Sequence, residues 1–412
     1  MATAVKTLHV FLNDRKIGVL SQENGQQSFQ YAAAYLNDEN AYPLSVSLPL
    51  TIDTYYDPAV ENYFSNLLPD ERIRATIAFI LHVPKENTFA LLKGIGADCA
   101  GAVALYEPGQ TPQSQNDPVY RELSEDEAYA VLDNLGQRPL DVGDDGIRIS
   151  GAGSQEKLVA CVFGNRVVLP LYGTPSTHIV KPPILSFPDS VFNEYFCMKL
   201  AKACGILTPE CSLLRLKGEL FYVVERFDRQ EIDGHPHRLH QEDFCQLLNI
   251  SPQCKYQDDG GPGVEECVRQ MAEMRLPANS RIQFIRLLIF NFLIGNCDAH
   301  AKNFAVLYRD GKPELAPAYD LLSTMVYENM SKKMAMNIGG ENRMGMIKME
   351  HFEKMAESCD IKPRLVRSEA KKLSAEILPQ AEVLAKELDT AYPDLVYERI
   401  IWQIRKNRNL LS

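Results

Sequence analysis

The sequence predicts an α+β protein, a β-rich lobe followed by an α-rich lobe. Before about residue 240 the apolar stretches are mostly short and bounded by turn residues, as strands are, with one prominent helix among them. After it, apolar residues recur at helical spacing over longer stretches. At 412 residues the chain also exceeds one typical domain, so two or three are expected.

Composition limits the function classes. Apolar residues make up 45 % and charged residues 24 %, as in an ordinary globular protein. The net charge of −11 sets the surface as a whole against nucleic acid and anionic membrane, and favours a basic partner or a cation-neutralised anionic ligand. The ten cysteines contain no CxxC pair, which argues against a zinc knuckle or a thioredoxin-type site; they read as small core residues in a reducing compartment. The start "MATAVKTLHVFLNDRK" lacks the basic-then-apolar pattern of a signal peptide, and the longest apolar run carries Arg286 and Asn291. The expected location is cytoplasmic.

Residues 1–106 read as a mixed α/β piece. "LHVFLNDRKIGVL" predicts two strands turning at Asn13-Asp14, "YPLSVSLPL" another strand, and "ENYFSNLLPDERIRATIAFIL" a helix interrupted at Pro69. Residues 107–118, rich in Pro, Gln and Ser without apolar period, predict a linker. Residues 119–238 predict a twisted sheet: "GIRIS", "KLVACVF", "RVVLPLY", "THIVKPP" and "ELFYVVERFD" read as strands. One helix, "DSVFNEYFCMKLAKACGI", lies among them and stops at Gly205. Residues 239–412 predict an α-helical lobe, from "QEDFCQLL" through "SRIQFIRLLIFNFLIG" to an array over 349–411.

At the junction, "FIRLLIFNFLI" runs straight into "GNCDAHAKNF". Polar groups beside an apolar core are costly unless paired or used. Asp298 and Asn303 stand five apart, the interval between the base and the metal-binding Asn of a protein-kinase catalytic loop. One carboxylate must take a proton from the attacking hydroxyl; a few residues on, a side-chain oxygen must reach magnesium on the phosphates. Asp320 in "APAYDLLS" is placed to be a second magnesium carboxylate. The alternative is a helix C-cap, since Asn296, His300 and Lys302 suit the negative end of a helix dipole.

Upstream, "ISGAGSQEKL" offers two glycines between β-type segments, where backbone can approach phosphates, or a plain hairpin; the Walker A spacing is absent. Lys181 in "HIVKPP" is a candidate point charge for α- and β-phosphates, or a solvated edge lysine. Glu194 can pair with it as helical glutamates do in kinases, or simply serve the first helical turn. "VVERFDR" reads as a hinge whose backbone groups from Glu225 to Phe227 hydrogen-bond an adenine edge, with Phe227 as an apolar face, or as a strand-end ion cluster. "KYQDDGGPG" reads as a flexible loop able to touch substrate. His235, His237 and His240 show no metal spacing and are expected at the surface. The order of these signals along the chain is that of protein kinases.

The motifs "RISGAGSQEKL", "THIVKPP", "NEYFCMKLAKACGI", "VVERFDR", "HQEDFCQLL", "GNCDAHAKNF" and "APAYDLLST" together resemble the HipA family of bacterial toxin kinases. "VFLNDRKIGVL", "SVSLPL" and "YFSNLLPDERIR" resemble that family's N-terminal subdomain. The resemblance implies a two-lobed, protein-kinase-like serine/threonine kinase distantly similar to the phosphatidylinositol 3/4-kinases, using ATP and Mg2+. It implies Asp298 as catalytic base, Asn303 and Asp320 as magnesium ligands, Lys181 on the phosphates and Glu194 as its ion-pair partner. It implies a nucleotide loop of Ala152, Gly153, Ser154, Gln155, Glu156 and Lys157 and a hinge of Glu225, Arg226 and Phe227. His300, Ala301, Lys302 and Tyr319 are the remaining implied ATP contacts. It further implies silencing by autophosphorylation at Ser150, where about two negative charges compete with ATP, with Ser154 as a second candidate.

The implied partners are a HipB-type helix-turn-helix antitoxin dimer, operator DNA through that complex, and a protein substrate such as glutamyl-tRNA synthetase; no membrane is implied. "HRD" and "DFG" are absent, with "NCD" and "YDL" in their places. Two other functions stay open: a co-repressor with little kinase activity, and a small-molecule kinase of the aminoglycoside or choline type. The second usually carries His two residues before the catalytic Asp, where this chain has Asn296.

Overall fold

A computed structural model describes residues 5–113, 117–142 and 146–411. Residues 114–116 of the expected linker lie outside the described residues. The chain forms two compact units.

The first unit comprises Met1–Pro182, Leu214–Pro252 and Leu307–Lys312. Its first sheet is antiparallel, in the order Tyr55–Tyr56, Gln26–Tyr31, Arg15–Glu23, Lys6–Leu12 and Val103–Tyr106. Asn13 turns the first hairpin with φ 53°, a left-handed conformation that Asn tolerates. A second antiparallel sheet contains, in order, Tyr120–Glu122, Arg166–Pro170, Leu158–Phe163, His178–Lys181 and Glu219–Glu225. Side chains of both sheets, among them Leu8, Phe29, Leu105, Leu158, Val180 and Val223, belong to one continuous core. Helices Ala59–Ser65 and Glu71–Ile80 break around Pro69, as the sequence predicts.

Three expectations for this unit are corrected. "YPLSVSLPL" is a tight turn rather than a strand. Ser45 and Leu48 form an isolated bridge, and the Ser45 hydroxyl accepts the Ser47 N–H, so the polar side chain takes the place of a ladder partner. "GIRIS" contributes one bridge, Ile149 to Asp98, and no ladder. His240 is buried at 2 % exposure. It stacks on Tyr308, and its Nε2 lies 2.9 Å from the Leu44 carbonyl oxygen.

The second unit comprises Pro183–Leu213, Gln253–Val306 and Pro313–Ser412. Helix Ser190–Ala203, the buried helix Ala278–Ile294, Pro363–Ala391 and Val396–Leu410 pack on one another. This unit also carries a strand pair, Lys333–Ile338 with Glu341–Arg343, where helix alone was expected. No helix among the described residues is long and apolar enough to cross a membrane.

Candidate active site

The second unit holds the decapeptide. Helix Ala278–Ile294 is buried along most of its length and ends at Gly295 with φ +76°. A Cβ there would stand 2.8 Å from Gln403 Cγ and 2.9 Å from Met325 Cβ, so glycine is required by conformation and by space. The Asn296 N–H closes the helix on the Asn291 carbonyl at 2.8 Å. The Asn296 side chain then bridges inward and outward. Its Nδ2 donates to Asn291 Oδ1 at 2.9 Å, and its Oδ1 accepts the Asp298 N–H at 3.0 Å. Thr324 holds the same turn, its Oγ1 accepting the Cys297 N–H at 2.8 Å.

The loop then folds on itself. The Asp298 carbonyl accepts the His300 N–H at 2.8 Å and the Asn303 Nδ2 at 3.1 Å. That bond occupies the amide nitrogen of Asn303, so its oxygen is the side-chain atom that could ligate a metal. The Tyr256 hydroxyl donates to Asp298 Oδ1, and its ring meets His300 edge-on at 5.0 Å. The Ala301 N–H bonds the Lys255 carbonyl at 3.3 Å. The Tyr319 hydroxyl donates to the Lys302 carbonyl at 2.6 Å, which fastens the residue before Asp320 to the residue before Asn303. Asp320 has φ +58°, a left-handed conformation that Asp adopts more readily than most residues. From the other side Asn193 clamps the following segment: its Nδ2 donates to the Ser323 carbonyl at 2.9 Å, and its Oδ1 accepts the Ser323 N–H at 2.8 Å. Glu194, the next residue, is buried in the same helix.

Asn303 and Asp320 offer hard oxygen donors, the set magnesium takes when most of its ligands are phosphate oxygens and water. Among the described residues no three His, Cys, Asp or Glu side chains gather as a metal site. Such a gathering suits zinc, and a magnesium site completed by phosphates does not need it.

The first unit holds the glycine loop, Lys181 and the expected hinge. Gly153 has φ +108°, and its carbonyl accepts the Asp70 N–H at 3.2 Å. Lys157 folds back so that its Nζ donates to the Ala152 carbonyl at 2.9 Å. Glu156 pairs with Arg72. Ser150 is buried at 2 % exposure, its hydroxyl donating to the Leu67 carbonyl, whereas Ser154 is exposed. Lys181 is buried rather than solvated, its Nζ 5.8 Å from the Tyr222 ring centre across the register Tyr222–Lys181.

"VVERFDR" is in large part an ion cluster. The Arg226 N–H is taken by the Thr177 carbonyl at 2.9 Å. Its guanidinium donates to Asp228 at 2.9 and 2.7 Å, to Ser176 Oγ at 2.9 Å and to the Cys99 carbonyl at 2.9 Å. The Arg226 guanidinium is therefore spent inside the protein. Glu225 is exposed and Phe227 half-buried on either side of it.

Several residues that hold the site were not singled out in the sequence. Tyr256 lay within a loop expected to be flexible. Asn193 read as part of an ordinary helix, and Asn291 as a polar interruption of an apolar run. Each was visible as a polar residue in a costly place, but what it touches depends on residues 5 to 130 positions away.

The chain matches the sequence family described as HipA N-terminal domain over residues 8–106 and that described as HipA-like C-terminal domain over residues 149–381. A relative named as a kinase, Y4mE of Sinorhizobium fredii, is 38 % identical over 395 residues, covering 93 % of this chain and 92 % of the relative. The serine/threonine-protein kinase toxin HipA of Shewanella oneidensis is 32 % identical over 358 residues, covering 83 % and 81 %. A solved structure of the Shewanella oneidensis HipA, HipB and operator DNA complex contains a chain that matches this one with a TM-score of 0.84 at 26 % identity, covering 98 % and 97 %. With its motifs, both family domains and near full-length relatives in agreement, the chain belongs to the HipA family.

Proposed function

We propose that this chain is an ATP- and Mg2+-dependent serine/threonine protein kinase acting as the toxin of a toxin–antitoxin pair. The observation that carries the reading is the fold-back of the decapeptide. The Asn303 side chain is bonded to the Asp298 carbonyl, and Tyr319, the residue before Asp320, bonds the carbonyl of Lys302, the residue before Asn303. Asp298 orients the acceptor hydroxyl and takes its proton. Asn303 and Asp320 hold the magnesium, which neutralises charge on the phosphates when bound. Within the first unit, Lys181 and the backbone of the loop 152–157 are the candidates for phosphate contact. Positioning and electrostatics supply most of the rate.

Replacing Asp298 by Asn tests this directly. Transfer of labelled γ-phosphate should disappear while the folded state persists in thermal melts; unchanged labelling would refute the role of Asp298.

The packing of Ser150 supports silencing by phosphorylation. A dianionic phosphate does not fit a site with 2 % exposure whose hydroxyl faces the Leu67 carbonyl oxygen, so a modified Ser150 must leave it and carry the loop along. Peptide mass spectrometry after incubation with ATP should find one phosphate on Ser150. The same phosphate on Ser154, already exposed, would reject that site. A protein target, of which an aminoacyl-tRNA synthetase is the family's example, and a small basic helix-turn-helix antitoxin complete the proposal. The net charge of −11 favours such a basic partner, and operator DNA is reached through it.

A further inference from the structure

We propose that Asp98 is a positioning residue that locks the nucleotide loop and the hinge strand into one geometry. The idea rests on the kinase reading above and extends it to a residue of the N-terminal subdomain.

Asp98 follows the helix Thr88–Ile95 and is completely buried. Its backbone is tied to the start of the glycine loop. Its carbonyl accepts the Ser150 N–H at 3.0 Å, and its N–H donates to the Arg148 carbonyl at 3.1 Å. Its carboxylate is tied to the segment that follows the hinge. Oδ1 accepts from Arg229 Nη2 at 2.8 Å and from Arg238 Nε at 2.9 Å. Oδ2 accepts the Ser176 hydroxyl at 2.6 Å and the Ser176 N–H at 3.1 Å, and lies 3.5 Å from Arg226 Nη1. Ser176 in turn receives Arg226 Nη1 at 2.9 Å.

Asp228 closes the set from the hinge side. It pairs with Arg226 and Arg229 and accepts the Gly101 N–H at 2.6 Å. Three guanidiniums therefore face two carboxylates, and each carboxylate is shared. If Asp98 loses its charge, two positive charges in excess remain in a buried space, and the strand end carrying Glu225 to Phe227 loses its fixed register. The same change frees residue 98 itself, and with it the carbonyl that holds Ser150. One side chain thus sets the distance between the two segments of the first unit that are proposed to touch ATP.

A residue with only a structural role would lower the fraction of folded enzyme and leave the remainder normal. A positioning residue changes the affinity for ATP in the folded fraction. The test uses the full chain with Asp98→Asn, Ser176→Ala, and Phe29→Leu as a core change outside the network. Asp98→Asn should raise KM for ATP in autophosphorylation by about ten-fold, and Ser176→Ala by about three-fold, with kcat retained within about two-fold. Phe29→Leu should lower stability without moving KM. Hydrogen exchange without nucleotide should quicken in both 150–157 and 223–229 for Asp98→Asn and stay unchanged in the strand Lys6–Leu12. An unchanged KM, or exchange quickened in only one of the two segments, would overturn the proposal. If the wild type transfers no phosphate while both segments respond together, the kinase reading falls and the coupling through Asp98 stands.

Discussion

The hydroxyl of Tyr256 donates to Oδ1 of Asp298 at 2.5 Å, so one oxygen of the proposed base is held by a residue of its own unit. A carboxylate held in this way presents its other oxygen in a fixed direction. Tyr256→Phe keeps the ring against His300 and removes the bond. A hydrogen bond to a charged group contributes about 1.5–3 kcal/mol, and about 1.4 kcal/mol is ten-fold in rate. Steady-state phosphate transfer should show kcat reduced about ten-fold or more with KM for ATP nearly unchanged. A kcat within about two-fold of wild type would show that the bond does not orient the base.

The turn that delivers the decapeptide depends on Gly295. Alanine there combines a left-handed φ of +76° with contacts of 2.8 and 2.9 Å to Gln403 and Met325. Gly295→Ala should cost about 2 kcal/mol or more in urea unfolding. It should also abolish labelling, because any relief moves Asn296 and with it the Asp298 N–H. Retained activity at reduced stability would separate the turn from the site.

The buried arginine cluster makes a prediction about acid. Burial pushes the Asp98 carboxyl up, but the guanidiniums of Arg229, Arg238 and Arg226 outweigh it and hold the group well below the usual carboxylate range. Asp228 is likewise held low against its burial by Arg226 and Arg229. Groups with depressed values stabilise the fold above their unfolded values and lose that contribution as pH falls towards the folded ones. Wild type should therefore keep this contribution from neutral pH down to about pH 4 and lose it progressively below. Asp98→Ala should cost about 3–5 kcal/mol at pH 7, because it leaves buried guanidiniums unpaired. The gap between variant and wild type should narrow only below about pH 4; a gap already closing at pH 6 contradicts the assignment.

Glu242 behaves in the opposite sense. Burial pushes its carboxyl up to about 7, against the bonds from Ser45 and Tyr308 that pull it down. Tyr308 donates to its Oε2 at 2.6 Å, and Asp243 adds a like charge nearby. The folded state thus binds a proton that the unfolded chain has already released. Stability from this group falls as pH rises from about 4.5 to about 7 and then levels. Relative to Glu242→Gln, wild type should lose on the order of 3 kcal/mol across that window in denaturant titrations. A difference independent of pH would mean that Glu242 is ionised throughout.

Much of the site could be read along the chain because its parts are close in sequence. Asp298 and Asn303 need one short turn to meet, and Gly295 with the polar run after it already marks where the buried helix must stop. The two strands around Asn13, the break at Pro69 and the end of the helix at Gly205 follow from local rules of turn and cap. The errors fell where a distant partner overrides local preference. "YPLSVSLPL" alternates like a strand, yet the Ser45 side chain supplies the bond that a neighbouring strand would have supplied. His240 was expected at the surface, but Tyr308, 68 positions on, stacks over it and buries it.

The sequence by itself determined the kind of chemistry: an aspartate and an amide at fixed interval, a glycine loop, a lysine at a strand end, and a chain too acidic to favour nucleic acid alone. Tertiary structure alone decided that the Arg226 side chain belongs to an ion cluster, that Ser150 is hidden while Ser154 is exposed, and that Asp98 bonds both Ser150 and Arg229. The reason is that a charge in sequence carries no information about its dielectric surroundings. Whether a guanidinium faces water, a phosphate or a buried carboxylate is fixed only when segments a hundred residues apart are packed together, and burial makes the difference large.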